Sequence, residues 1–240
     1  MSTVRRTASA AVHRDRVPAP RRAIKAALPT LTDRAYDALE EMSVTLQLAP
    51  GSAASEAELS QWLGIGRTPI REALQRLSRE KLVQILPRRG VIVSDINVKS
   101  QLRLLEVRRE IDRLVSRSAA RRATSAERSR FDALAAAFED AARTNDDRAF
   151  MRTDHDFNEL CVQASRNEFA AAAMRLMHPL SRRFWYVHYK QAADMPEAAK
   201  LHAAIARSIA AGDEDAAAAA TDTLLDNIEA FTRGTVGADT

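Results

Sequence analysis

Segment 55–90 carries arginines whose spacing suits contact with duplex DNA. Arg67, Arg71 and Arg79 fall on one side of a predicted helix, and aliphatic residues fall on the other. A guanidinium group pairs with a guanine through two hydrogen bonds and also binds phosphate. A cationic helix that is the second of a helix-turn-helix fits the major groove. The segment therefore predicts a DNA-recognition surface.

The elements that position these arginines are two short helices and a hairpin. The first helix begins at a capping box of Ser55 and Glu58 and ends at Gly64. The second begins within 66–69, and a Pro-Arg-Arg-Gly tip at 87–90 follows it. The alternative is a helical hairpin with a solvated basic face. The aliphatic residues predicted to be buried on the second helix are Ile70, Leu74 and Leu77.

This segment resembles the winged-helix DNA-binding domain of the GntR family of bacterial transcription regulators. The family's recognition helix is close to SRTPVREAL, which stands here as GRTPIREAL, and the upstream LAPGSAASEAELSQWLG is also similar. The resemblance covers about residues 31–95 and implies a sequence-specific DNA-binding protein. It implies that phosphates and base edges are contacted by Arg67, Thr68 and Arg71, and that the wing enters the minor groove with Arg89 and Gly90.

Three positions depart from the family pattern. Gly66 replaces the usual Ser as helix cap, and Ala57 stands where relatives often carry a basic residue. Lys81 replaces the usual Gly after the recognition helix, so we expect it to bear any left-handed conformation needed there.

Composition predicts a mainly α protein of two domains. The 240 residues are 46% hydrophobic but only 5% aromatic, they are rich in alanine, and they show few β signals. The lone cysteine, Cys161, excludes an internal disulfide and suits a reducing compartment. No apolar run approaches the roughly 18 residues that indicate a membrane span. We expect a cytoplasmic protein.

Charge is concentrated at the start of the chain. Residues 1–30 hold seven Arg or Lys and one Asp, a net charge of +6, whereas the whole chain carries +4. Such a segment is predicted to be a disordered basic tail that adds nonspecific attraction to DNA. The alternative is a solubilising extension without a role in binding.

After the predicted winged helix-turn-helix of 31–95, the pattern changes to long helices. Capping at Thr124 with Glu127, and a stop and restart at Gly212 and Asp213, delimit some of them. We expect an antiparallel all-helical bundle of about six helices over 98–233. The predicted helices span 98–122, 125–144, 146–165, 168–190, 196–211 and 213–233.

Several polar residues fall on the predicted apolar stripes of these helices. Burying a charge without a partner costs several kcal/mol, so we expect these groups to converge on each other or on a ligand. The stripes are Leu104, Val107, Arg108, Ile111 and Val115, then Phe150, Asp154, Phe157, Asn158 and Cys161, and then His202, Ile205 and Ile209.

Residues 98–233 resemble the FCD effector domain of the FadR-like branch of the GntR family. The similar segments are LLEVRREIDRLVSRSAA, FMRTDHDFNELCVQASRN and LHAAIARSIAAGDEDAAAA. In metal-binding relatives one Asp and three His hold a divalent ion, commonly zinc. By this resemblance, two of the four ligands are present as Asp154 and His202, but Asn158 and Leu224 stand in place of the other two. Because zinc prefers about four donors with imidazoles prominent, we expect a pocket without a bound metal or other cofactor. The alternative is a weak zinc site at Asp154 and His202.

The resemblance also implies that Arg108 is the pocket arginine, and a guanidinium suits a carboxylate ligand. Asp154, Asn158 and His202 are then expected to bind the polar atoms of a small organic acid. The alternative is an internal Arg108–Asp154 salt bridge with His202 as a core histidine. A further cluster, Phe184, Trp185, Tyr186 and Tyr189 with Arg182, Arg183 and His188, predicts a core wall, a pocket lining or a dimer contact.

Together these features predict a ligand-modulated repressor rather than an enzyme, since neither a nucleophile elbow, nor a phosphate loop, nor a full metal set is present. Operators of helix-turn-helix dimers are commonly near-palindromic, so we expect a homodimer on double-stranded DNA. The alternative is a constitutive DNA-binding protein whose helical domain only dimerises.

Overall fold

The computed structural model describes residues 28–87, 90–192 and 194–235. Most of the predicted basic tail and Arg89 lie outside the described residues. The first part of the described chain contains three helices and three short strands. They are α1 (Leu31–Val44), β1 (Ala53–Ala54), α2 (Glu56–Leu63), α3 (Arg67–Arg79), β2 (Val83–Leu86) and β3 (Gly90–Val93).

Six longer helices follow, and each begins and ends within two residues of its predicted bounds. Together, the two parts of the described chain confirm a mainly α fold with an N-terminal winged helix-turn-helix and a C-terminal helical domain. Its elements are α4 (Val98–Arg122), α5 (Ser125–Thr144), α6 (Asp147–Ser165), α7 (Glu168–Ala192), α8 (Met195–Ala211) and α9 (Glu214–Gly234).

Helix ends lie where the local sequence predicts them. The Glu58 amide donates to Ser55 Oγ over 3.1 Å, which caps α2, and Gly64 ends that helix with a φ of 62°. Lys81 adopts a φ of 62° after α3, which confirms that a non-glycine residue bears the left-handed conformation there. Gly212 separates α8 from α9 with a φ of 77°.

The winged-helix part is built on an antiparallel sheet in the order β1-β3-β2. Leu86 pairs with Gly90 at the tip of the β2–β3 hairpin, and Val83 pairs with Val93 at its base. The sheet and the three helices share one buried apolar cluster. On α3, Ile70, Leu74 and Leu77 are buried in this cluster, as predicted.

The helical part has its own apolar cluster, made by α4 to α9. One predicted inward residue is wrong, because Val107 is 54% exposed whereas its neighbour Leu105 is 3% exposed. The buried stripe of α4 passes through Leu105, Arg108 and Val115, and helical spacing leaves Val107 outside that stripe. The two parts also touch, because α1 packs against α7.

Candidate functional site

The first turn of α3 presents the residues predicted to contact DNA. Arg67, Thr68 and Arg71 are all exposed there, because the opposite side of α3 is anchored by Ile70 and Leu74. Gly66 provides an extended cap without a side chain, so the start of the helix is unobstructed. The arrangement leaves two guanidinium groups and a hydroxyl directed away from the core.

Arg71 is held by a carboxylate of the preceding helix. Its Nε donates to Glu56 Oε1 over 2.9 Å, and its terminal NH2 donates to Glu56 Oε2 over 2.7 Å. These hydrogen bonds lower the pKa of Glu56. The pair fixes Arg71 on α3 at the junction of the two helices, and the charge of Arg67 also acts to lower the pKa of Glu56.

Gly90 occupies a position that requires glycine for reasons of packing. Its φ is 88°, and a Cβ atom there would lie 2.5 Å from the carbonyl oxygen of Ala54 in β1. The sequence resemblance assigned Gly90 to the minor groove, but the structure gives it a separate role in closing the sheet. Arg89, the other predicted wing contact, lies outside the described residues.

A cavity of about 320 Å³ lies inside the helical part, between α4, α6, α7, α8 and α9. Ligand pockets in proteins have volumes of about 300–1,000 Å³, so this cavity suits a small molecule. The side chains predicted from sequence to bind an effector all border it, although they come from three different helices. They are Arg108, Asp154, Asn158 and His202.

Asp154 has three polar side chains around it in the cavity. Its Oδ1 accepts a hydrogen bond of 2.9 Å from Asn158 Nδ2 and lies 3.3 Å from His202 Nε2. Arg182 Nε lies 3.7 Å from the other carboxylate oxygen. Burial acts to raise the pKa of Asp154, but the contact with His202 and the charges of His202 and Arg182 outweigh it and lower the pKa to about 2. Asp154 is therefore ionised at neutral pH.

His202 is oriented by its own helix. Its Nδ1 donates to the carbonyl of Ala198 over 2.7 Å, so its Nε2 faces the cavity and Asp154. The imidazole also contacts the rings of Phe138 and Phe150, with centroids 5.1 and 5.4 Å away. These contacts leave the ring little freedom to turn.

Arg108 is paired with a residue that the sequence interpretation did not consider. Its Nε and NH2 donate to Asp112 Oδ2 over 3.0 and 2.8 Å, and its NH1 donates to Ser181 Oγ over 2.7 Å. The alternative Arg108–Asp154 salt bridge is therefore wrong. Asp112 lies one turn further along the same helix and binds the guanidinium in place of Asp154. The spacing of four residues was the available signal for this pair.

Sequence reasoning also missed Ser181, which joins two polar side chains of α4. Gln101 Nε2 donates to Ser181 Oγ over 2.8 Å. Arg108, about two turns further along α4, donates to the same oxygen. The aromatic cluster of α7 is partly a cavity lining, because Trp185 borders the cavity and stacks on Tyr189 with ring centroids 4.5 Å apart. Arg183 from the same cluster is buried, and it donates to the carbonyl of Ser94 after β3.

The donor set of this cavity does not fit zinc. Asp154 and His202 offer one carboxylate and one imidazole, and Asn158 and Leu224 border the same cavity in place of the two histidines that the resemblance implied. His178 and Asp194 border it too, but His178 Nε2 lies 3.7 Å from Asp112 Oδ1. His155, next to Asp154 in the chain, is exposed and does not border this cavity. Within the described ranges, no group of three or more His, Cys, Asp or Glu side chains could hold a metal ion.

The fold and these two regions define a winged helix-turn-helix protein with a ligand-sized cavity in a separate helical part. The family model described as "Bacterial regulatory proteins, gntR family" matches residues 31–93, and the model of the FCD domain matches residues 103–227. The chain therefore belongs to the GntR family and carries an FCD domain.

Known relatives match this chain over very different lengths. A transcriptional regulator from an unstable DNA locus of Streptomyces ambofaciens is 48% identical over 62 residues, which are 26% of each chain. The chain matches only 26%, 34% and 40% of the lengths of the first three curated relatives. The galactonate operon transcriptional repressor of Escherichia coli is 28% identical over 81% of this chain and 93% of that protein. The relatives found are regulators, not enzymes.

Solved structures share the fold over most of the chain. Escherichia coli McbR/YncC has a TM-score of 0.73 at 16% identity, covering 87% of this chain and all of that one. A GntR-type regulator from Rhodococcus sp. RHA1 has a TM-score of 0.63 at 20% identity, covering 85% of this chain and 97% of that one. In the described residues, no helix combines the length and apolar character needed to cross a bilayer.

Proposed function

We propose that the protein is a transcription repressor whose affinity for its operator is set by a small organic acid. The observation that carries this proposal is the pairing, in one chain, of an exposed arginine-bearing recognition helix with an internal cavity of about 320 Å³. The similarity to the galactonate operon repressor over most of both chains supports it. The chain acts in the cytoplasm, where its DNA is.

The DNA partner is a near-palindromic operator bound by a homodimer. Two copies of α3 about one helical turn of DNA apart place Arg67, Thr68 and Arg71 in successive major grooves. Arg89 and Gly90 follow the wing into the minor groove. Residues 31–95 form the DNA-binding domain and 98–233 the effector-binding and dimerisation domain. The tail of 1–30 adds sequence-independent attraction to phosphates.

The effector is a small hydroxylated carboxylate. Arg108 and Arg182 supply positive charge at the cavity wall, and Asp154, Asn158 and His202 supply acceptors and donors for hydroxyl groups. Asp112 already neutralises much of Arg108, so a ligand with several hydroxyl groups and one carboxylate suits the cavity better than a multiply charged acid. The ligand shifts operator affinity only by its difference in affinity for two dimer arrangements.

One observation favours a second candidate, a constitutive DNA-binding protein whose helical domain only dimerises. The guanidinium of Arg108 has partners within the chain at all three nitrogens, in Asp112 and Ser181. A cavity arginine that is satisfied internally does not need a ligand.

Two measurements test the proposal. Genome-wide mapping of bound DNA, followed by affinity measurements on purified protein, should give a site-selective operator near a small set of promoters. Melting temperatures with D-galactonate, other sugar acids and simple dicarboxylates should identify a stabilising ligand. An unchanged melting temperature across this panel, with operator binding intact, would favour the constitutive candidate.

Trp185 offers a direct probe of the cavity. The chain has two tryptophans, and the other, Trp62, is 60% exposed on α2. In W62F the fluorescence comes from Trp185 alone, so a cavity ligand should change it with saturation. W185F is the matched control, in which the same acid should raise the melting temperature while leaving the fluorescence of Trp62 unchanged.

A further inference from the structure

Arg182 lies in the wall between two cavities. On one side is the ligand cavity, and on the other is a cleft of about 740 Å³ that separates α1 and α3 from α6 and α7. Arg182 borders both spaces, yet its side chain is only 11% exposed. Met151, Asn158 and His178 border both spaces as well, and Arg182 adds a buried guanidinium that reaches the carboxylates of α1.

Three carboxylates from the two parts face this guanidinium. NH1 lies 3.3 Å from Glu40 Oε1, and NH2 lies 3.7 Å from Glu41 Oε2, both on α1. Nε lies 3.7 Å from Asp154 Oδ2 in the ligand cavity. Among the described residues this Nε–H has no hydrogen-bond partner, so its contact with Asp154 is electrostatic and long. The Nε–H of Arg182, on the side of the ligand cavity, can therefore still donate a hydrogen bond.

Glu40 is buried beside this cation. Its side chain is 11% exposed, and within the described ranges Arg182 is the only cationic group within 4 Å of its carboxylate. Burial raises the pKa of Glu40, and the charge of Arg182 acts against that rise. A carboxylate buried without its partner is strongly destabilising. Any movement of Arg182 toward the cavity must therefore be followed by Glu40 or by water.

Glu40 is connected to the recognition helix through its own helix. Tyr36, one turn earlier on α1, donates from its hydroxyl to Glu80 Oε2 over 2.7 Å, and Glu80 caps the end of α3. The guanidinium of Arg76 on α3 lies 3.6 Å from the centre of the Tyr36 ring. These contacts fasten α1 to α3, so a shift of α1 is passed to the helix that bears Arg67.

We propose that Arg182 is the positioning residue that couples occupancy of the ligand cavity to the placement of α1 and α3, by exchange of its guanidinium between Asp154 and Glu40. The inference rests on the proposed function and names the regulation of that same site. A carboxylate ligand beside Asp154 draws Arg182 toward the cavity and weakens its hold on Glu40. The α1–α7 contact then changes, and with it the spacing of the recognition helices in a dimer.

A double-mutant cycle tests the coupling without a ligand. D154N removes the carboxylate that Arg182 faces in the cavity. E40Q removes the carboxylate that Arg182 contacts on α1. Operator affinity is measured for wild type, D154N, E40Q and the double variant, with circular dichroism to check folding. We expect D154N to change the operator Kd by about fivefold or more, and E40Q to abolish most of that change, a coupling of the size usual between linked sites.

D112N is the matched control, because Asp112 is equally buried but binds Arg108 rather than Arg182. Its effect should add to that of E40Q within about twofold. R182K should lose the dependence of operator affinity on D154N, since an ammonium group lacks the three separate nitrogens that face Glu40, Glu41 and Asp154. If D154N does not fold, D154S replaces it in the same cycle, because serine also removes the carboxylate.

The outcomes are distinct. Additive effects of D154N and E40Q, in a wild type that binds its operator selectively, overturn the role of Arg182 and leave the proposed function standing. A wild type without selective operator binding overturns the proposed function and the coupling with it. Non-additivity that appears with D112N as strongly as with D154N also overturns the assignment, because it would indicate general softening of the helical part.

Discussion

Arg108 and Asp112 form a buried pair within one helix, joined by hydrogen bonds of 3.0 and 2.8 Å from two nitrogens to one oxygen. Both side chains are about a tenth exposed. The pair sets the charge of the cavity, because it places a guanidinium at the wall while cancelling most of its field. It also leads to a test of stability.

R108A should lower the free energy of unfolding by about 3–5 kcal/mol, because it leaves Asp112 buried without its main partner. The double variant R108M/D112L should recover much of that loss, since both charges are then removed together. Urea unfolding measures both. The control is R233A, which breaks the exposed Arg233–Glu229 pair of the same spacing and should cost under about 1 kcal/mol. Equal losses for R108A and R233A would contradict the buried-pair description.

R67A should weaken operator binding by roughly 10- to 100-fold, the effect of losing about 1–3 kcal/mol of guanine or phosphate contact. The reason is that Arg67 is exposed on the first turn of α3. Binding to a labelled operator measures the change. R143A, at an exposed arginine on α5, is the control and should leave the affinity within about twofold. Equal affinity for R67A and wild type would remove Arg67 from the recognition surface.

Zinc should not stabilise the wild-type protein, whereas N158H/L224H should gain a zinc-dependent rise in melting temperature. The double variant adds two imidazoles beside Asp154 and His202. His178 also borders the cavity, but its Nε2 lies 3.7 Å from Asp112 Oδ1. A site filled at a thousand times its Kd adds about 4 kcal/mol. Adding H202A to the double variant should abolish most of the gain. An equal zinc response in the wild type would show that other donors complete the site.

The ionised state of Asp154 predicts a specific acid sensitivity. Its pKa is lowered from 3.8 to about 2, so its contribution to stability is present above about pH 4 and is lost as the pH falls through 2. That contribution is roughly 2 kcal/mol. The stability advantage of wild type over D154N should therefore shrink across this window. D156N, at an exposed aspartate of the same helix, should parallel the wild type.

G90A should destabilise the winged-helix part more than G64A does. Both glycines have a positive φ, which costs an alanine about 1–2 kcal/mol. At Gly64 nothing lies within 4 Å of the added carbon, whereas at Gly90 the carbonyl of Ala54 lies at 2.5 Å, so β1 must move as well. Thermal unfolding of the two variants compares them. A smaller loss for G90A than for G64A would show that the wing relaxes without strain.

Much of the fold could be predicted from local sequence, because its signals act over a few residues. Ser55 with Glu58 and Thr124 with Glu127 cap helices by bonds to backbone atoms three residues away, and both capping boxes are present. The six long helices of the helical part follow from alanine-rich periodic segments between such caps. The exposed arginines of α3 follow equally from a helical period that buries Ile70 and Leu74 on the opposite side.

What the sequence could not determine is which partner each inward polar group chooses. Arg108, Asp154 and His202 were all identifiable as polar residues on apolar stripes, and all three border one cavity. Arg108 pairs within its own helix, whereas Asp154 meets His202 only once α6 and α8 are packed together. The sequence interpretation considered Arg108 with Asp154, whereas the packed helices give Arg108 to Asp112 and Asp154 to His202.

The link between the two parts was decided by tertiary structure alone. Arg182 and Glu40 are 142 positions apart, and no local pattern in the sequence pairs them. Only the packing of α1 on α7 brings them together and places Asp154 behind them. The sequence thus determined the elements and the surface for DNA, because helix formation and exposure are local. The tertiary structure decided the network of charges, because ion pairs over such separations exist only once the helices are packed.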